Sequence, residues 1–104
     1  MNKEIALHAL DGLLCAEGGA QISKIGLHKI TLSFSQQEKG LFKEVLSKAG
    51  ILNLYKEEQN SRFVIQGWSN LYLFFKILLS KGIIPFSFHT ERRNNALKGF
   101  LNHG

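Results

Sequence analysis

Apolar and polar positions along the chain fall into segments of two different periods. Residues 4–16 are apolar or small almost throughout, with Leu7, Leu10 and Leu14 on one stripe, and glycines follow at 18 and 19. Spacing of three and four residues closed by glycine predicts a helix with one core-facing side. Gly12 and Ala16 lie four apart on a second face, where small residues let another helix backbone approach closely. Glu17 stands at the helix end, where the dipole favours a cation over a carboxylate.

The period then changes. In residues 20–25, apolar Ile22 sits between Gln21 and Ser23, and Gly26 to His28 predicts a turn. Residues 29–35 alternate strictly, with Ile30, Leu32 and Phe34 on one face and Lys29, Thr31, Ser33 and Ser35 on the other. The two runs predict a hairpin of half-buried strands. Gln37 to Ala49 returns to helical spacing through Leu41, Phe42, Val45, Leu46 and Ala49, with Gly50 as the stop. A second strand pair is expected over Ile51 to Glu57 and Ser61 to Trp68, with Gln59-Asn60 at the turn. In that reading Leu52 and Leu54 alternate with Asn53 and Tyr55, and Phe63 and Ile65 with Arg62, Val64 and Gln66. Ser69 caps a helix through Gly82 with Leu71, Tyr72, Phe75, Leu78 and Leu79 on its apolar face. Pro85 breaks the chain, and Thr90 caps a last helix reaching Asn102.

The predicted order is one α+β domain over residues 1–104, an αββαββα frame followed by the last helix. Two hairpins with one apolar face each can join into a four-stranded antiparallel sheet with the helices on one face. The uncovered face would display Gln21, Ser23, Lys29, Thr31, Ser33, Asn53, Tyr55, Arg62 and Gln66. Amides, hydroxyls and cations are the groups that contact base edges and phosphates. A merely solvated face also favours polar residues; it accounts for the charges better than for the many amides and hydroxyls.

Composition adds a partner class and removes others. Thirteen Lys and Arg against eight Asp and Glu give a net charge of +5, which suits a polyanionic partner. The single cysteine excludes an internal disulfide and a Cys-rich zinc site, and the four histidines show no ligand spacing. The apolar run from Leu71 to Ile84 contains Lys76, Ser80 and Lys81 and is too short to span a bilayer. The run 5–16, preceded by Lys3, is interrupted by His8 and Asp11, and Leu14 stands before Cys15 where a lipoprotein signal wants a small residue. A soluble, intracellular protein is expected.

The stretch Leu10-Asp11-Gly12-Leu13-Leu14-Cys15-Ala16-Glu17-Gly18 resembles the LAGLIDADG motif of homing endonucleases, in the variant ending Glu-Gly. Leu10, Gly12, Leu13, Leu14, Ala16, Glu17 and Gly18 agree with the family's pattern, whereas Asp11 replaces a small residue and Cys15 a frequent acid. Ser35-Gln36-Gln37-Glu38-Lys39 resembles the family's junction between second strand and second helix, with Gln37 where a Lys is usual and Lys39 as the later basic residue. Phe88-His89-Thr90-Glu91-Arg92-Arg93 resembles the basic segment before the last helix, Arg92 ranking ahead of Arg93 as its active-site cation.

The resemblance implies the αββαββα fold and site-specific cleavage of double-stranded DNA with Mg²⁺ or another divalent cation. It further implies a homodimer of single-motif chains, packed through Gly12, Leu13 and Ala16. Glu17 with Gly18 would hold the metal, Gln36 would position water, and Lys39 and Arg92 would counter phosphate charge, with Arg93 among the DNA contacts. Two-fold symmetry implies a pseudo-palindromic site. Asp11 near the axis would meet its own copy, so it lies off the contact, pairs with His8 or weakens the dimer. Two other classes stand beside this one. The first is a non-cleaving DNA- or RNA-binding module of the same fold, maturase-like or regulatory; the second is a small interaction domain without a nucleic-acid role.

Overall fold

The computed structural model describes residues 1–23, 26–83 and 91–102. Helix α1 (Lys3–Glu17) runs directly into strand β1 (Gly18–Ser23), which pairs with β2 (Gly26–Ser33). Helix α2 (Lys39–Lys48) and a 3-10 turn (Leu52–Leu54) lead to β3 (Lys56–Glu58) and β4 (Arg62–Gln66). Helices α3 (Trp68–Ser80) and α4 (Glu91–Asn102) complete the chain. The strands form one four-stranded sheet in the order β1-β2-β4-β3, antiparallel throughout. The expected α+β class, with helices covering one face, is what the chain adopts. Leu7, Leu10 and Leu14 of α1, Ile30 and Leu32 of β2, Phe63 and Ile65 of β4 and Phe74, Phe75, Leu97 and Phe100 of the last two helices share one core.

Glycine stops at both expected positions close their helices. Gly50 has φ +79, and its N–H and that of Ile51 donate to the Ser47 and Leu46 carbonyls. Gly82, with φ +72, repeats the arrangement on Leu79 and Leu78 at the end of α3. Two carbonyls that the last turn would leave unpaired are thereby satisfied. Gly18 solves a different problem. A Cβ there would lie within 2.3 Å of the Leu14 carbonyl oxygen, so only glycine lets α1 pass without a loop into β1.

Several boundaries and faces differ from the sequence reading. Gly26 to His28, expected as a turn, already belongs to β2: the register steps from Gln21↔Lys29 to Ile22↔Leu27, leaving His28 as an extra residue in a bulge. The bulge keeps Leu27 on the core side, where unbroken alternation would have turned it out. The hairpin tip at Lys24 and Ile25, the Pro85 break and the Thr90 cap lie outside the described residues. Helix α2 starts at Lys39, two residues later than expected, and Leu41 is exposed while Phe42, Val45 and Leu46 are buried. Helix α3 starts at Trp68 after Gly67 (φ +93), so Ser69 lies inside the helix and makes no cap bond. Its buried stripe is Leu71, Phe74, Phe75 and Leu78; Tyr72 instead stacks at the surface on Trp68, with centroids 5.1 Å apart.

The largest correction concerns Ile51 to Glu57, which is not one strand. Ile51 and Leu54 are both buried, three apart, and the backbone between them closes a 3-10 turn rather than alternating. Only Lys56–Glu58 pairs with β4. Because the turn consumes an odd step, the phase of β3 is reversed from the expected one, while β4 keeps Phe63 and Ile65 inward as expected.

Candidate nucleic-acid interface

Register decides which side chains share the uncovered face, because residues directly opposite one another point the same way. Buried Ile30 opposite Ile65 and Leu32 opposite Phe63 mark the helix side. The other face therefore carries Gly19 and Gln21 on β1, Lys29, Thr31 and Ser33 on β2, Arg62, Val64 and Gln66 on β4, and Lys56 and Glu58 on β3. Among the expected residues, Gln21, Lys29, Thr31, Ser33, Arg62 and Gln66 are brought together there. Ser23 extends the same strand, but its side chain lies outside the described set.

Asn53 and Tyr55 are not part of this face. Asn53 is exposed on the 3-10 turn, off the sheet. Tyr55 turns into the core, its ring edge-on to both Phe63 and Phe74 at 6.4 Å. Its hydroxyl is buried with no hydrogen-bond partner, and burial raises its pKa. Arg93 is half-buried on α4, a helix that packs on the covered side of the sheet, and is already engaged by another group.

Lys56 and Glu58 were missing from the sequence reading. At the hairpin turn Gln59 and Asn60 both have φ near +55, and the Ser61 N–H donates to the Glu58 carbonyl at 3.1 Å. A plain two-residue turn would set Glu58 opposite Ser61; the strands instead set it opposite Arg62, which turns Lys56 and Glu58 outward. One Glu58 oxygen, Oε1, takes both Lys29 Nζ at 3.3 Å and Arg62 Nε at 3.2 Å. Burial pushes the Glu58 carboxyl up, but the two cations more than reverse this and hold it below the usual range.

Glu17 is exposed at the tip of α1 and enters no hydrogen bond or ion pair among the described residues. The adjoining Gly18 is opposite Leu32, so Glu17 lies at the end of the sheet where Ser33 and Arg62 also lie. Two strand spacings, roughly 10 Å, separate β1 from β4 there. Gln36 and Lys39 sit at the same end but are tied to the second hairpin. Gln36 Nε2 donates to the Asn60 carbonyl at 2.7 Å, and Lys39 Nζ to Glu57 Oε2 at 3.0 Å and Asn60 Oδ1 at 3.3 Å. Neither is joined to Glu17. The Arg92 side chain lies outside the described set, though its backbone is in the first turn of α4.

No family model, curated protein or solved structure matches the chain. Among the described residues no three His, Cys, Asp or Glu side chains converge. Glu17 with Gly18 is the pair expected to hold a divalent cation, and one carboxylate is at most part of such a site. Mg²⁺ accepts so few protein oxygens, because it keeps waters and substrate oxygens.

Gly12 and Ala16 are exposed on α1, and a Cβ on Gly12 would meet nothing within 4 Å. Leu13, expected beside them, is partly used by the chain's own core. Ile5, two helical turns before Gly12 on the same side, leaves 56% of its surface open. No helix among the described residues is long and apolar enough to cross a membrane.

Proposed function

We propose that the chain is one subunit of a LAGLIDADG-type DNA endonuclease, a homodimer that holds duplex DNA on its two open sheet faces and hydrolyses both strands. One observation carries the reading. A single polar, cation-bearing sheet face, with Lys29, Thr31, Ser33, Arg62 and Gln66 in register, ends beside an unpaired acid delivered at a helix tip. β-sheet surfaces of this kind fit the major groove, and a two-fold pair of them spans a pseudo-palindromic site.

In a dimer packed through Gly12 and Ala16, both Glu17 carboxylates come beside the axis, and each half-site gains the second acid it lacks. A divalent cation held there supplies charge stabilisation and a more acidic water. Glu17 holds the cation, and the open face positions the phosphates. Gln36 and Lys39 serve a water or a phosphate only after releasing Asn60 and Glu57. That prior engagement favours a second reading, a non-cleaving DNA- or RNA-binding module built on the same face.

Substituting Glu17→Gln separates the two. Selection of cleaved sites from a random DNA library, in Mg²⁺ against EDTA, is expected to yield products for the wild type. The variant should bind equally or more tightly while cutting several orders of magnitude more slowly, as removal of a metal and electrostatic contribution of several kcal/mol requires. Salt-dependent binding with no cleavage by the wild type supports the non-cleaving module. Cutting by the variant at the wild-type rate removes Glu17 from the chemistry.

A further inference from the structure

We propose that Glu58 is an electrostatic gate on the open sheet face, which suppresses binding to DNA phosphates at random by holding Lys29 and Arg62 closed. The proposal rests on the DNA-binding reading and assigns a selectivity residue within it. Three cations, Lys29, Lys56 and Arg62, face outward on the described strand residues, and Glu58 is the one acid among them. Its single Oε1 atom engages two of the three. Glu57, the neighbouring acid, points to the helix side and pairs with Lys39.

An isolated surface ion pair would contribute little and would open freely. The position of Val64 distinguishes this one. Lys29 is opposite Gln66 on β4, and Glu58 is opposite Arg62, so the line joining Lys29 to Glu58 crosses β4 midway, at Val64. Val64 belongs to the uncovered face and stands outside the shared core, yet only 2% of its surface is open. Long aliphatic stems lying over an apolar side chain with their charged ends paired account for both facts. The side chains of Lys29, Glu58 and Arg62 are correspondingly only 19%, 25% and 38% exposed.

The closed triad has two consequences for a DNA surface. Phosphates are repelled by Glu58, and the two cations that would neutralise them are occupied. Opening the triad frees both cations and uncovers Val64, an apolar group suited to a thymine methyl. A site offering base contacts can repay that opening, whereas a backbone contact alone cannot. Affinity for random sequence is therefore held down selectively.

The test is Glu58→Gln, near-isosteric and at a sheet edge, with Glu44→Gln, an exposed acid on α2 away from the open face, as a control for the same change in net charge. Binding of a random-sequence duplex is followed by fluorescence anisotropy across a salt series. Glu58→Gln should tighten random binding about tenfold and steepen the slope of log K against log salt by about 0.9 to 1.8, one or two further phosphates. Glu44→Gln should change the slope by less than half of that. Equal effects of the two variants, or weaker binding by Glu58→Gln, would overturn the gate and leave the DNA reading standing. Absence of salt-dependent binding by the wild type and both variants would overturn the DNA reading, and the gate with it.

Discussion

Tyr55 sits between Phe63 and Phe74 with its hydroxyl buried and unpaired, so one side chain combines a favourable ring with an unfavourable polar tip. Burying a hydroxyl without a partner costs about 1–3 kcal/mol by mutational measures. Tyr55→Phe keeps the ring contacts and removes the tip. We expect the variant to be more stable by up to about 2 kcal/mol in urea unfolding. Its DNA affinity should equal the wild type's, because the ring lies on the far side of the sheet from the proposed interface. Lower affinity would return Tyr55 to the DNA face.

The element with the clearest dependence on pH is the entry to α2. Ser35-Gln36-Gln37-Glu38 has a second identity besides its family resemblance: it forms one half of a capping box. Glu38 Oε1 accepts from the Ser35 N–H at 3.1 Å, while the Glu38 and Lys39 N–H groups donate to the Ser35 carbonyl. Hydrogen bonds from the Ser35 side chain and backbone, outweighing a small effect of burial, hold the Glu38 carboxyl below its ordinary 4.5. A carboxyl whose folded value is depressed stabilises the fold above its unfolded value and loses that contribution as pH falls through the folded one. Glu38→Gln should therefore be less stable than the wild type at neutral pH, and the gap should close progressively below pH 4.5. A gap that persists undiminished to pH 2 would assign the effect to packing. The same junction carries Gln36 and Lys39, so their bonds to the second hairpin make α2 and β3–β4 one unit.

For the whole molecule the decisive property is assembly. The chain's own fold leaves Gly12, Ala16 and Ile5 open along α1, and Gly12 has space around it. Gly12→Leu should therefore leave the folded subunit intact in thermal unfolding extrapolated to low concentration. In a two-fold pair the added side chain would be forced into the partner's helix, an overpacking cost of about 1–3 kcal/mol or more. Sedimentation should find the wild type dimeric and the variant shifted to monomer. A wild type that sediments as a monomer at working concentration would remove the preformed two-fold site.

Periodicity along the chain was enough to determine where the helices lie to within a few residues, that a hairpin follows each of the first two, the Gly50 and Gly82 stops, the Gln59-Asn60 turn and the outward run of Lys29, Thr31 and Ser33. These features are local: each depends on residues two to four positions apart, which the chain carries in order. Parity between elements was not legible, because the 3-10 turn after α2 exists only when Ile51 and Leu54 find the core together. That one turn sent Tyr55 inward and Glu58 outward, against an alternation that read equally well in the other phase. The His28 bulge likewise follows from the need to keep both Ile22 and Leu27 on the core side. Tertiary structure alone decided the pairings Lys29–Glu58 and Lys39–Glu57, whose partners are 29 and 18 positions apart. Charges so distant in sequence meet only after the strands are in register, and no local pattern records which acid a given cation will reach.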